Sequence, residues 1–337
     1  MAIKVAINGF GRIGRPTFKR LIENRNIQVV AINDLTDTKT LAHLLKYDSV
    51  YGIYNRKVEY TEKSIKVDRK EYPILAEKDP AKLPWKKMGI DVVLECTGFF
   101  TEPEGASQHL EAGAKKVIIS APCKDSSIPT YVLGANEKIY NSEKDDIISM
   151  GSCTTNALVP VAKVINDNFE IERSLMTTIH SYTSTQRIVD GPHKDLRRAR
   201  AAAVNIVPTT TGAAISVIRV LPELEGKLNG IAVRVPSVDV SLVDFVAQVK
   251  KPATSQEVNQ VFKEISQKEL KGILEVGDQP LVSTDFIGNS HSAIIDSQMT
   301  MVEDKRLIKV LAWYDNEYGY ACRLAEMTEF IGNKLKK

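Results

Sequence analysis

The chain has 337 residues, of which 43% are hydrophobic and 26% charged, and its 45 Lys and Arg residues against 42 Asp and Glu leave a formal net charge of +3. This length allows about two domains, and the composition is that of a folded globular protein rather than a disordered one. The basic excess is too small to indicate a nucleic-acid or membrane partner.

The N-terminal residues and the cysteines give a first expectation of the compartment. Met-Ala-Ile-Lys runs directly into a strand-like segment, and no stretch approaches the roughly 18 apolar residues of a membrane span. The four cysteines, Cys96, Cys123, Cys153 and Cys322, form no C-x-x-C pair and have no partner at metal-ligand spacing. We therefore expect a soluble, cytoplasmic protein with reduced thiols, no disulfide and no structural metal.

A glycine-rich turn follows the first predicted strand. Residues 3–24, IKVAINGFGRIGRPTFKRLIEN, read as a strand, a turn with the pattern G-x-G-x-x-G and an amphipathic helix. In this setting Gly9 permits a tight turn, Gly11 lets a pyrophosphate approach the backbone, and Gly14 lets the helix pack closely on the strand. Arg12, inside the loop, can add a charged contact. The pattern predicts a dinucleotide bound at the helix N-terminus.

The second predicted strand, residues 27–34, ends in an acidic residue. Asp34 lies 20 residues after Gly14, which is the spacing of the carboxylate that binds the adenosine ribose of a dinucleotide. Such a carboxylate accepts from the 2′-hydroxyl of NAD and repels the 2′-phosphate of NADP, so we expect NAD. The alternative is an aspartate that only caps a turn after the strand.

Further strands are predicted in the first half at residues 64–68, 91–98, 115–122 and 146–150, with a helix at 102–114. Alternating strands and helices favour a mostly parallel, doubly wound sheet of the Rossmann type. Cys96 and Ser120 then fall at carboxyl ends of strands, where such a sheet binds its ligand. For Cys96 and Cys123 we favour packing over chemistry.

A Gly-Ser-Cys-Thr-Thr-Asn run opens the second half, directly before an apolar pattern. Ser and Thr are preferred helix N-caps, so Cys153 is predicted at a helix N-terminus. There the helix dipole can lower the pKa of a thiol from about 8.5 to roughly 3.5–7.5 and make it a nucleophile. A buried structural cysteine is the alternative. Pro160 either kinks this helix or marks its true first turn.

The pattern then changes to strands and one long loop. A strand at residues 174–186 carries His180, which is either a base for the thiol or a structural histidine. The loop at residues 187–214 is too long for a plain connector. It carries Arg198, Thr211 and Gly212, groups suited to binding phosphate, although interface salt bridges are the alternative for its arginines.

The remaining elements predict a second, mostly antiparallel sheet in an α+β domain. Its strands are predicted at residues 231–236, which carry Arg234, and at 240–249, 296–304 and 307–315, and its helices at 254–267 and 317–335. The last helix is expected to return to the first domain.

The chain resembles the phosphorylating glyceraldehyde-3-phosphate dehydrogenases. The resemblance rests on motifs spread over the whole chain: NGFGRIGR, HLLKYDS, ECTGFFT, SCTTN, PHKDLRRAR, PTTTGAA, LPELEGKLNG and WYDNEYGYACR. It implies an NAD-binding domain at residues 1–151, with 317–337 packed back onto it, and a catalytic domain at 152–316. It also implies a cytoplasmic homotetramer that uses glyceraldehyde 3-phosphate and inorganic phosphate.

The resemblance further implies roles for individual residues. Cys153 is the nucleophile and His180 its base, so a thiohemiacetal and then a thioester form on sulfur. The phosphate-binding set is Ser152, Thr154, Thr183, Arg198, Thr211, Gly212 and Arg234. The NAD-binding set is Gly9, Gly11, Arg12, Ile13, Gly14, Asp34, Lys78, Ser120 and Asn316.

Three alternatives stay open on sequence. Departures beside these motifs, such as Ser181, leave room for erythrose-4-phosphate dehydrogenase, which has the same thiol and base but releases the acid to water. Aspartate-semialdehyde dehydrogenases run related chemistry, but they favour NADP and lack WYDNEYGY. RNA binding in the dinucleotide cleft is the non-enzyme alternative, and we do not expect nucleic acid as the primary partner.

Overall fold

The computed structural model describes residues 2–335, which divide into two compact units. The N-terminal unit comprises residues 2–131, 139–151 and 321–335, and the C-terminal unit comprises 132–138 and 152–320.

The N-terminal unit is built on an eight-stranded sheet. Its strands and helices are β1 (Ile3–Asn8), α1 (Gly14–Leu21), β2 (Ile27–Asn33), α2 (Thr38–Lys46), β3 (Tyr47–Asp48), β4 (Gly52–Ile53), β5 (Val58–Tyr60), β6 (Ser64–Val67), β7 (Lys70–Leu75), α3 (Trp85–Met88), β8 (Val92–Glu95), α4 (Pro103–Glu111), β9 (Lys116–Ile119) and β10 (Ile147–Ser149). The strand order is β10-β9-β8-β1-β2-β7-β6-β5, and β3 pairs separately with β4.

The strands from β10 to β7 run parallel, and β6 and β5 continue the sheet antiparallel. The central strands are almost wholly apolar, and in β1 both Val5 and Ile7, on one face, and Ala6, on the other face, are fully buried. Burial on both faces is what a parallel sheet covered by helices requires. The predicted parallel sheet is confirmed.

The C-terminal unit contains a second eight-stranded sheet covered by helices. Its elements are α5 (Cys153–Phe169), β11 (Ile171–Ser181), β12 (Val207–Thr209), α6 (Ala213–Val220), β13 (Leu228–Val235), β14 (Ser241–Val249), α7 (Ser255–Gln267), β15 (Leu274–Gly277), β16 (Ala293–Asp296), β17 (Met301–Glu303), β18 (Leu307–Tyr314) and α8 (Tyr318–Lys334), which continues into the N-terminal unit. The order is β12-β13-β11-β14-β18-β16-β15, and β17 also pairs with β18.

In the described part of this sheet, β11–β13 and β15–β16 are parallel and the other pairs antiparallel. Every second residue of β14, among them Val243 and Phe245, is buried in one core with Leu158 of α5 and Phe262 of α7. One face of the sheet therefore carries the helices, and the predicted mostly antiparallel second sheet is confirmed.

Two local predictions are corrected. Pro160 lies inside α5, so the helix does not begin there. A proline in a helix interior costs about 3 kcal/mol, which the complete burial of neighbours such as Leu158 and Val161 offsets. Residues 296–304 are not one strand, because a short 3-10 turn at Ser297–Met299 separates β16 from β17. There the Ser297 hydroxyl donates to the Gly277 carbonyl at 2.8 Å.

Candidate active site

Cys153 is the first residue of α5, directly after a capping box. The Ser152 hydroxyl accepts from the Thr155 backbone N–H at 3.0 Å, and the Thr155 hydroxyl accepts from the Ser152 N–H at 3.1 Å. These bonds satisfy amide groups that a helix start leaves without partners. The Ser152 side chain is therefore occupied by the cap. The predicted helix N-terminus at Cys153 is confirmed.

Strand β11 brings His180 to this thiol. The Nε2 atom of His180 lies 3.4 Å from the Cys153 Sγ atom. Thr178, one step back on the same face of β11, donates to or accepts from the Tyr314 hydroxyl at 2.8 Å, and Thr154 of α5 contacts the same hydroxyl at 2.9 Å. Tyr314 thus ties the helix start to the strand, which fixes the distance between thiol and imidazole.

Arg234 lies beside His180 on the neighbouring strand β13, at the paired register position. The His180 Nδ1 atom lies 2.7 Å from the Ser181 carbonyl oxygen and 2.8 Å from the Arg234 Nη1 atom, and that Nη1 atom donates to the same carbonyl at 2.8 Å. A carbonyl oxygen can accept two hydrogen bonds. In the tautomer with the proton on Nδ1, both donors reach this carbonyl oxygen and the Nε2 lone pair faces the thiol.

Burial governs the ionisation of both reactive groups. Burial raises the pKa of the Cys153 thiol, although the Arg234 charge and hydrogen bonds from Thr154 act in the opposite direction. The backbone N–H groups at the helix start do lower this pKa, as predicted, but burial outweighs them, so the predicted net lowering is not found for the thiol alone. Burial, followed by the Arg234 charge, lowers the pKa of His180 to about 3. Each charge is disfavoured by itself, whereas a proton shift from Sγ to Nε2 creates two charges that stabilise each other.

Arg234 also has the features of an anion-binding residue. Its Nε atom is buried and has no hydrogen-bond partner, and no carboxylate pairs with the guanidinium, among residues 2–335. A buried cation without a counter-charge is costly. The arrangement is suited to an anionic ligand held next to the thiol and the imidazole.

Arg198 belongs to a second donor group, in the long loop. Its Nε atom donates to the Thr209 hydroxyl at 2.9 Å and its Nη2 atom to the Thr210 carbonyl at 3.1 Å, while Asp195 accepts from Thr209 at 2.6 Å. The Arg198 charge lies close enough to contribute to the lowered pKa of His180. The side chain is therefore held in place rather than free in solvent.

The other predicted phosphate ligands lie at the start of α6, on the long loop and at the start of α5. Thr211 accepts from the Ala213 N–H at 3.2 Å at the start of α6, and a Cβ atom built on Gly212 would meet nothing within 4 Å. Thr183 contacts the Thr185 hydroxyl at 2.9 Å on the loop. Thr154 is buried, and its hydroxyl contacts the Tyr314 hydroxyl at 2.9 Å and also hydrogen-bonds to the Cys153 thiol.

Asn316 follows β18 and is buried with two serines, Ser181 and Ser241. Its Oδ1 atom accepts from the Ser181 hydroxyl at 2.9 Å and from the Ser241 hydroxyl at 2.7 Å. Only the departure of Ser181 from the family pattern drew attention to it in the sequence. Ser241 gave no signal, because the contact depends on the pairing of distant strands.

In the N-terminal unit, the glycine loop has the shape that a dinucleotide needs. Gly9 has a φ of +94°, and a Cβ atom there would lie 2.7 Å from the Thr97 nitrogen. A Cβ atom on Gly14 would lie 2.1 Å from the Gly9 carbonyl oxygen, whereas one on Gly11 would meet nothing within 4 Å. Gly9 and Gly14 are thus required by packing, and Gly11 leaves open space for a pyrophosphate.

Asp34 both supports this loop and stays accessible. Its Oδ2 atom accepts from the Phe10 N–H at 2.7 Å and its Oδ1 atom from the Thr36 N–H at 2.9 Å. Asp34 therefore does cap the turn after β2, which was the alternative to ribose binding. A carboxylate oxygen accepts more than one hydrogen bond, and the half-buried side chain retains capacity for ribose hydroxyls.

A buried polar network holds the neighbouring strand end. The Glu95 carboxylate accepts from Asn8 Nδ2 at 2.6 Å and from the Thr97 N–H at 2.7 Å, and it contacts His109 Nε2 at 3.1 Å. Trp85 Nε1 donates to His109 Nδ1 at 3.1 Å, so Nε2 carries the proton that Glu95 accepts. The turn against which Gly9 packs is thereby fixed.

The remaining predicted NAD contacts lie around this loop and at the end of a neighbouring strand. Arg12 pairs with Asp48 at 2.6 Å and lies over the Tyr51 ring, Ile13 directly precedes α1, and Lys78 is exposed. Ser120 donates its N–H to the Glu95 carbonyl at the end of β9.

The other thiols differ from Cys153. Burial raises the pKa of Cys96 to about 12 and that of Cys123 to about 11. Raised pKa values of this kind favour packing roles over nucleophilic ones. In residues 2–335 no group of three or more His, Cys, Asp and Glu could hold a metal ion, and no helix is long and apolar enough to cross a bilayer.

Comparison with known proteins gives consistent matches over the whole chain. Residues 3–103 match the family model described as glyceraldehyde 3-phosphate dehydrogenase, NAD binding domain, and residues 152–316 match the model of the C-terminal domain. Glyceraldehyde-3-phosphate dehydrogenases of Priestia megaterium, Bacillus subtilis and Geobacillus stearothermophilus are each 54% identical over 334 residues, covering 99% of this chain and 99% of each relative.

Proposed function

The chain belongs to the glyceraldehyde-3-phosphate dehydrogenase family and shares its NAD-dependent oxidoreductase activity, and from this premise we propose that Cys153 is the nucleophile, His180 its base and inorganic phosphate the second substrate. The observation that carries the assignment is the 3.4 Å contact between Sγ and Nε2. A nucleophile within hydrogen-bond reach of a base whose own orientation is fixed is the arrangement that covalent catalysis needs.

In the first step the Cys153 sulfur attacks the aldehyde carbon of glyceraldehyde 3-phosphate. The S–H proton passes to His180 Nε2 and the S–C bond forms; the carbonyl oxygen then takes that proton from Nε2, which gives a thiohemiacetal and returns His180 to its neutral form. Because burial opposes both a lone thiolate and a lone imidazolium, the transfer is expected to accompany the attack.

In the second step His180 takes the hydroxyl proton of the thiohemiacetal as its C–H bond breaks. NAD, when bound, supplies the acceptor for the hydride. The product on Cys153 is a thioester, which keeps the acyl carbon activated. A phosphate oxygen then attacks that carbon, the C–S bond breaks, and the sulfur recovers a proton, releasing 1,3-bisphosphoglycerate.

Two groups of donors support two phosphate sites. We assign the phosphate of the substrate to Arg234 with Thr183, since the buried guanidinium has no acidic partner among residues 2–335. We assign inorganic phosphate to Arg198, Thr211 and Gly212, where a fixed guanidinium lies near an open helix start.

Ser152 and Thr154, at the helix start beside Cys153, complete the proposed phosphate-binding set. Ser152 keeps the helix start in place through its cap. Thr154 contributes hydrogen bonds to the sulfur, which favour the thiolate during attack.

The cofactor is assigned to residues that fit it. Gly11 offers open space for the pyrophosphate, Gly9 and Gly14 shape the loop, and Asp34 accepts from the adenosine ribose. Asn316 presents an amide for the nicotinamide carboxamide. Arg12, Ile13, Lys78 and Ser120 complete the set as flanking contacts. In this assignment residues 1–151 with 317–337 form the NAD-binding domain and 152–316 the catalytic domain.

The assembly is proposed to be a cytoplasmic homotetramer. The long loop exposes large apolar side chains, with Ile188 at 86% and Leu196 at 81% of full exposure. Exposed apolar groups clustered on one loop indicate an interaction surface, and a second copy of this chain is the partner that the family suggests. Light scattering coupled to gel filtration should give four times the 37.4 kDa chain mass.

The chemistry is tested by a rapid-mixing assay of NADH formation from glyceraldehyde 3-phosphate. Without phosphate or arsenate, NADH should stop at about one equivalent per active site, and adding either ion should restore turnover. Cys153→Ser should give neither the one equivalent of NADH without phosphate nor the turnover with it. Full-rate turnover in phosphate-free buffer with release of the free acid, or a preference for erythrose 4-phosphate, would contradict the proposal.

A further inference from the structure

The two serines around Asn316 form a closed hydrogen-bonded group. Ser181 is fully buried, Ser241 is 2% exposed and Asn316 is 5% exposed. Both hydroxyls lie within hydrogen-bond distance of the same Asn316 oxygen, at 2.9 and 2.7 Å. The three residues come from β11, from β14 and from the turn after β18, so the sheet itself sets their spacing.

The positions of the protons in this group follow from the contacts. The Ser181 backbone N–H donates to the Ser241 hydroxyl oxygen at 3.2 Å. That oxygen is therefore an acceptor from the backbone, and its own proton is available to Asn316 Oδ1. With the Ser181 hydroxyl as the second donor, both acceptor positions of Oδ1 are filled.

The two hydroxyl protons favour one orientation of the amide. With Oδ1 toward the serines it accepts both hydrogen bonds, and the NH₂ group lies on the side of the amide away from Ser181 and Ser241. In the described residues the Nδ2 atom has no hydrogen-bond partner of its own. Asn316 is thus held as a hydrogen-bond donor, with its acceptor already occupied.

We propose that Ser181 and Ser241 are positioning residues that fix the Asn316 amide with its NH₂ group outward, so that it binds the carboxamide oxygen of nicotinamide. This rests on the proposed NAD role of Asn316. The fixed donor selects the ring orientation in which the carboxamide oxygen, rather than its NH₂ group, faces Asn316. Ser181 also contacts the proposed base, His180, but it does so through its backbone carbonyl oxygen. Replacing the Ser181 side chain leaves that carbonyl in place.

The proposal predicts a selective loss of affinity. Ser181→Ala or Ser241→Ala leaves Oδ1 with one donor and lets the amide turn, so NAD binding should weaken by roughly fivefold, the effect of one buried hydrogen bond. ADP-ribose shares every part of NAD except nicotinamide. Its affinity should stay unchanged in both variants.

The experiment is calorimetric titration of the full-length protein with NAD and with ADP-ribose. The variants are Ser181→Ala, Ser241→Ala, Asn316→Ala and each serine change combined with Asn316→Ala. Ser292→Ala is the matched control, because Ser292 is another buried serine of the C-terminal unit and its hydroxyl has no hydrogen-bond partner in the described chain. The control should bind both ligands like the wild type.

The proposal is supported if NAD alone weakens and if the serine changes add nothing once Asn316 is alanine. It is overturned if NAD binding is unchanged in the serine variants, or if ADP-ribose weakens equally, which would indicate general damage. If Asn316→Ala itself leaves NAD affinity unchanged, the proposed role of Asn316 fails instead.

Discussion

Replacing His180 with asparagine should slow the reaction of Cys153 with iodoacetamide by at least about 30-fold at pH 7. The change removes the base whose Nε2 atom lies 3.4 Å from the sulfur. Burial already holds the pKa of this thiol above its ordinary range. With an ordinary pKa of about 8.5 as the lower limit, less than roughly 3% of an unassisted thiol is ionised at pH 7. Losing a general base commonly costs about 10²–10⁴ in rate.

The loss of the base also changes how the alkylation rate of Cys153 depends on pH. Below the thiol pKa, each added pH unit raises the thiolate fraction about tenfold, so alkylation of His180→Asn should rise steeply between pH 6 and 8. The deficit relative to the wild type should therefore shrink as the pH rises. Stopped-time labelling followed by peptide mapping measures the rate at Cys153 itself.

His291→Asn is the matched control for this experiment, since its ring pairs with Glu275 in the same unit. It should label at the wild-type rate. A wild-type rate in His180→Asn at pH 7, or a deficit that stays constant with pH, would refute the role of His180 as the base. Preferential labelling of Cys96 or Cys322 with loss of activity would refute the assignment of the thiol.

Three further changes test the cofactor and phosphate sites. Asp34→Ala should narrow a preference for NAD over NADP of at least about tenfold, or about 1.4 kcal/mol; equal use of both by the wild type in steady-state assays would contradict this. Arg198→Ala should raise the KM for phosphate more than the KM for NAD, and the reverse order would remove it from the phosphate site. Gly14→Ala should lower the melting temperature, because its Cβ atom would meet the Gly9 oxygen at 2.1 Å. Gly11→Ala should weaken only NAD binding, and a comparable loss of thermal stability would contradict the open space at that residue.

Features set by neighbouring residues were predictable from sequence. The glycine spacing at Gly9 and Gly14 and the acidic strand end at Asp34 depend on backbone geometry within one strand-turn-helix segment. The cap at Ser152 likewise needs only the amide groups of the next turn. The sequence therefore predicted the parallel sheet, the helix start and the position of the thiol at it.

Features set by residues far apart in the chain required the tertiary structure. The sign of the pKa shift at Cys153 depends on burial by the surrounding core, which outweighs the local helix terminus. Packing of α5 likewise decides that Pro160 stays helical, against its local preference. The fixed amide of Asn316 exists because Ser181 and Ser241 come from separate strands whose pairing register brings both hydroxyls to one oxygen. Short-range geometry thus determined which groups the chain offers, and long-range packing decided their ionisation and orientation.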